Sequence, residues 1–102
     1  MMPYAQIEYI ECIQHIIHVH LRSGEEVPSL TQRLPFLRLM APLLADGRFV
    51  QNHRSYLVNL AEVRLLAPGE VQMASGARLP LPPGPRERAV RQALTDWRGG
   101  VV

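Results

Sequence analysis

The sequence contains no lysine, a single cysteine and no long apolar run. All eleven of its basic side chains are arginine. One thiol, Cys12, excludes an intramolecular disulfide framework and a cysteine-rich zinc module. No apolar stretch approaches the ~20 residues of a membrane-spanning helix, and Met1-Met2-Pro3-Tyr4 lacks the charged and apolar regions of a signal peptide. Repeats, linkers and low-complexity tracts are missing too. The expectation is a cytoplasmic protein with no membrane partner. Its 102 residues hold one domain, spanning 1–102, with a radius of gyration of roughly 13 Å. With 47% hydrophobic residues and a formal charge of +2, the chain has enough apolar content to fold.

An all-arginine set is accounted for by coding bias in a GC-rich genome. The functional reading set beside it is phosphate and guanine recognition, because a planar guanidinium offers several donors in a fixed fork. Placement carries more information than the count. The last quarter holds Arg78, Arg86, Arg88, Arg91 and Arg98 against only Glu87 and Asp96, a basic end on a near-neutral body. Such asymmetry points mildly to a polyanionic partner.

The hydrophobic pattern is mainly that of strands. Ile7-Glu8-Tyr9-Ile10-Glu11 and Ile16 to Leu21 are rich in β-branched and aromatic residues, joined through Cys12–His15 and stopped near Ser23-Gly24. From Ser29 the period changes. Ser29-Leu30-Thr31-Gln32 has the form of a capping box, and apolar residues at helical spacing predict one or two short helices between about 30 and 44, broken by Pro35 and Pro42. Phe49-Val50 and Tyr56-Leu57-Val58 read as buried strands interrupted by a polar loop, Gln51 to Ser55. Three more short strands follow at 63–66, 70–73 and 77–81, punctuated by Pro68-Gly69 and Ser75-Gly76. The end, from Arg86 to about Trp97, is amphipathic and helical, with Ala89, Val90, Ala93, Leu94 and Trp97 on one face.

Catalytic and metal chemistry find little support. His18 and His20 share a strand face and make half a zinc site, but no third ligand pattern lies near them in sequence, so a solvated strand face and no metal are expected. Ser55 lies two residues after His53 without a third orienting group, and no glycine-rich phosphate loop is present. No enzyme activity and no cofactor are expected. The most unusual string is Phe49-Val50-Gln51-Asn52-His53-Arg54-Ser55-Tyr56-Leu57-Val58-Asn59-Leu60. It brackets an imidazole, a guanidinium, an amide and a hydroxyl between apolar residues, groups suited to phosphates and base edges. A tight turn whose Asn and Ser satisfy their own backbone accounts for it equally well.

That string closely resembles the signature of the LytTR DNA-binding domain family, the output half of LytR- and AgrA-like bacterial response regulators. The resemblance runs from about residue 6 to 95. It includes Ile7 to Glu11, His18-Val19-His20-Leu21, Ser29-Leu30 with Leu34, Gly76 to Leu81 and Val90 to Leu94. It implies an elongated sandwich of small antiparallel sheets with one or two short helices, here followed by a C-terminal amphipathic helix. It also implies sequence-specific binding of double-stranded promoter DNA through loops, often as pairs on repeats. On the resemblance, His15 aligns with the first base-contacting loop, and Arg54, flanked by His53 and Ser55, with the middle contact.

The third contact departs from the family. Where the family commonly places Ser-Arg after its Leu-Pro-Val segment, this chain has Pro82-Pro83, which donate nothing. Arg86, with Arg78 as support, is the substitute on offer. The family usually has a strand hairpin before the Ile-Glu-Tyr-Ile segment, and only six residues precede Ile7, so a shortened hairpin and no receiver domain are expected. A shortened start would expose a strand edge, which either favours a homodimer or simply costs stability. The alternative function is a protein-interaction module that has lost base readout and acts by dimerisation or on a partner regulator.

Overall fold

A computed structural model describes residues 3–28 and 36–99. Strands dominate it. A 3-10 turn at Tyr4–Gln6 leads into β1 (Ile7–Ile13), β2 (Ile16–Leu21) and β3 (Glu26–Pro28). Two single-turn helices follow, α1 (Phe36–Leu39) and α2 (Ala41–Leu44). Next come β4 (Phe49–His53), β5 (Tyr56–Asn59), β6 (Val63–Ala67), β7 (Glu70–Met73) and β8 (Arg78–Pro80). The long helix α3 (Pro85–Gly99) completes the order. The strands form a five-stranded sheet ordered β3-β2-β1-β5-β4 and a three-stranded sheet ordered β6-β7-β8, and their pairings are antiparallel. This is the mainly β, two-sheet arrangement expected, in a molecule 40 × 28 × 25 Å with a radius of gyration of 13.0 Å.

Alternation along β5 explains how two layers share the large sheet. Leu57 and Val58 are neighbours, so they point to opposite faces, and both are fully buried. Leu57 joins Ile7, Ile10, Ile17, Phe49 and Met40 under α1 and α2. Val58 joins Leu60, Val63, Val71, Met73, Leu79, Leu81, Val90 and Leu94, the core between the large sheet, the small sheet and α3. Burial of each such side chain contributes roughly 1.5–3 kcal/mol.

Buried polar groups fasten the layers. Glu8 is 3% exposed, and its carboxylate accepts from the Ser75 amide (2.9 Å) and hydroxyl (2.8 Å). Asn59 donates to the Ile7 carbonyl and accepts from the Ala61 amide, capping the 3-10 turn at Leu60–Glu62.

Several expectations are revised. The proposed capping box at 29–32 lies outside the described residues. The helical region divides at Met40, and Pro42 sits in the first turn of α2, where its missing amide is harmless. Residues 26–28, to which the sequence pattern assigns no element, form an edge strand that ends in proline, a residue edges tolerate. β1 pairs on both sides, so among the described residues the edges of the large sheet are β3 and β4, and β1 is not an edge strand. Gln51, Asn52 and His53 continue β4 instead of forming a loop, and Asn52 is wholly buried. Trp97 stays 42% exposed and outside the core that holds Val90 and Leu94.

Candidate nucleic-acid interface

The candidate residues lie at the ends of antiparallel strands, and hydrogen bonds gather three of those ends together. Glu11 of β1 stands opposite Tyr56 of β5, so the turn Arg54-Ser55 lies beside the end of β1. The Cys12 amide donates to the Ser55 carbonyl at 2.8 Å and fixes that proximity. The β1–β2 turn, Gln14-His15, projects just beyond. On the other side, Asn52 of β4 donates to the Pro80 carbonyl at the end of β8 at 2.9 Å, tying in the segment that leads to Arg86. Val50, Gln51, Pro82, Pro83 and Arg86 line one shallow groove there.

Each turn has a local cause. Ile13 pairs with Ile16, which leaves a two-residue hairpin loop, and such loops take positive φ at both positions to match strand twist. Gln14 and His15 adopt φ of 50° and 66°, the left-handed region that costs side-chain-bearing residues energy. His15 is exposed at the tip of the turn.

In the second turn the Ser55 amide donates to His53 Nδ1 at 3.1 Å, and Gln51 Nε2 donates to the Arg54 carbonyl at 3.3 Å. His53 stands edge-on to Tyr56, with ring centroids 5.5 Å apart. Burial first, then the charges of Arg54 and Arg86, hold the His53 imidazole below its ordinary value of 6.5. The ring is therefore neutral at pH 7. With Nδ1 occupied as an acceptor, Nε2 carries the proton and is the donor.

Electrostatics separate the arginines. Arg54 and Arg86 are exposed, have no acidic partner among the described residues, and both act on His53. Arg78 lies on β8 with Glu70 at 3.7 Å. Arg91 pairs with Glu87, and Arg98 donates to the carbonyls of Val63 and Arg64. Much of the basic end is thus engaged internally. The structure brings His53, Arg54, Ser55 and Arg86 to one place with His15 at the adjoining turn, and leaves Arg78 at the opposite end of its strand.

Sequence reasoning missed Asn52 as the brace between β4 and β8. Its place in a run of polar residues hid its burial. It also missed the surroundings of His18 and His20: Glu11 on β1 and Glu26 on β3 come beside them only through strand register, which no sequence spacing displays.

A two-sheet β domain that presents arginine and histidine on clustered turns offers groups suited to phosphates and base edges. The family profile for the LytTr DNA-binding domain matches residues 1–83, and the chain belongs to that family, which is one of DNA-binding and not enzymatic domains. Among solved structures, a LytTr DNA-binding domain from Bacillus cereus is similar, with a TM-score of 0.74 and 20% identity over 91% of this chain and 84% of that one. The likeness extends to the fold. No curated protein matches the chain. Among the described residues, no helix is long and apolar enough to cross a membrane.

Proposed function

We propose that the chain is a transcriptional regulator that binds promoter DNA in a sequence-specific way through its turns. The observation that carries the reading is the Arg54 turn. An unpaired, exposed guanidinium sits at its tip, and its backbone is braced by His53 and Gln51. A rigid turn holding a guanidinium outward is suited to phosphates or to a narrow, electronegative minor groove. The Nε2–H of His53, the Ser55 hydroxyl and the exposed His15 ring supply polar edges beside it, and Arg86, whose charge also acts on His53, adds a second cation.

The experiment is selection of genomic fragments by the purified chain, followed by affinity measurements with Arg54→Ala. We expect about a tenfold loss or more, the ~1–3 kcal/mol typical of a good arginine contact. Wild-type affinity in Arg54→Ala would remove this assignment. A second reading rests on Pro82 and Pro83, exposed in the groove and unable to donate. It is a protein-interaction role by dimerisation or through a partner regulator. Failure to retain any genomic fragment at low salt, together with a stable complex with a second protein, favours it.

A further inference from the structure

We propose that Glu11, His20 and Glu26 form a binding site for a divalent transition-metal ion on the open face of the β1-β2-β3 region. The three side chains come from three adjacent strands, and one ligand atom of each lies within 4.8 Å of the others. His20 Nε2 is 2.7 Å from Glu11 Oε1 and 3.7 Å from Glu26 Oε1. A tetrahedral ion with bonds of ~2.0–2.2 Å sets its ligand atoms about 3.3–3.6 Å apart, so shifts of roughly an ångström suffice to seat it.

The surroundings are built to hold those groups. The His20 ring is stacked on Tyr9, with centroids 4.2 Å apart and planes 12° from parallel, which fixes the imidazole. His18 Nδ1 lies 2.8 Å from Glu26 Oε2, engaging one carboxylate oxygen while the other faces His20. Such outer hydrogen bonds orient ligating carboxylates. The Glu11 and His20 side chains are only 16% and 18% exposed, and Glu26, at 45%, leaves the site open on its outer side for water as a fourth ligand. With neutral imidazoles the cluster carries a formal −2, which a divalent cation cancels. One imidazole nitrogen with two carboxylate oxygens suits zinc and its transition-metal neighbours, whereas magnesium and calcium favour all-oxygen shells. Binding takes the place of the Nε2 proton of His20.

The test is calorimetric titration of the purified 102-residue chain with zinc chloride, beside His20→Gln and Glu26→Gln. Glu26 lies on an edge strand, so Glu26→Gln keeps the fold, which circular dichroism verifies. Saturable uptake of one zinc ion by wild type and its loss in both variants are expected. His18→Gln is expected to bind about tenfold more weakly, the usual penalty for losing an outer-shell partner. Zinc should also raise the melting temperature of wild type and leave that of Glu26→Gln unmoved. No saturable uptake by wild type, or uptake retained by both variants, overturns the proposal.

Discussion

His53 shows how one side chain is given two tasks by its position. Its Nδ1 must accept from the Ser55 amide for the turn to keep its shape, and that requires a neutral ring. Protonation at Nδ1 would remove the acceptor and add a third positive charge beside Arg54 and Arg86. The pKa is accordingly depressed, by burial above all. Between the ordinary imidazole value of 6.5 and the lower folded value, the unfolded chain binds a proton that the folded chain does not. Stability contributed by the neutral ring is therefore present above that window and is lost as pH falls through it. Urea unfolding at about pH 7 and about pH 5.5 should show a smaller drop for His53→Gln than for wild type. An equal drop in the two proteins would mean that the ring titrates freely in the fold. Arg54, one residue on, makes no side-chain hydrogen bond or ion pair among the described residues, and its charge acts on His53. The two neighbours thus divide the work, one shaping the turn and the other facing outward.

The hairpin of β1 and β2 illustrates what the element scale adds. A two-residue turn with both φ angles positive is normally built from Asn-Gly, yet Gln14-His15 occupies it here. Strain of this kind is kept where a side chain serves another purpose, which fits the proposal that His15 meets DNA. Replacing the pair by Asn-Gly should raise stability by about 1 kcal/mol, or roughly 4–8 °C in melting temperature for a domain of this size. The same variant should bind the selected DNA less tightly. A melting temperature that stays the same or falls would show that the turn is not strained. The pattern of the strands was readable because period two and β-branched content report directly on a pleated, half-buried surface. β3 was not, since three exposed residues ending in proline carry no periodicity and owe their extended form to pairing with β2. The polar run at 51–53 misled for a related reason. A buried Asn satisfied by a carbonyl 28 residues away looks, in sequence, like any loop residue. The signature at 49–60 encloses both the turn and the side chains that brace it.

Over the whole molecule, the distribution of arginine partners decides how charge reaches DNA. Arg22, Arg48, Arg78 and Arg91 lie beside Glu62, Asp46, Glu70 and Glu87, and Arg98 fastens α3 to β6 through two carbonyls. The exposed pairs are individually weak. Even so, each must be given up before its arginine can neutralise a phosphate. Arg38, Arg54, Arg64, Arg86 and Arg88 have no such tie among the described residues, and of these Arg54 and Arg86 are the two whose charges reach His53. Each phosphate neutralised on a duplex contributes about −0.9 to the slope of log affinity against log salt. About two or three contacts per chain therefore predict a slope near −2 to −3 on a short duplex carrying one bound chain. Arg54→Ala and Arg86→Ala should each flatten it by about 1, while Arg78→Ala should leave it nearly unchanged. A slope of about −5 or steeper would require the ion-paired arginines to release their partners on the duplex, making the whole basic end the binding surface. A slope that Arg86→Ala leaves intact would place the duplex on the side of β1 and β5 alone. The groove beside Pro82 and Pro83 would then stand outside the interface, as the protein-interaction reading requires.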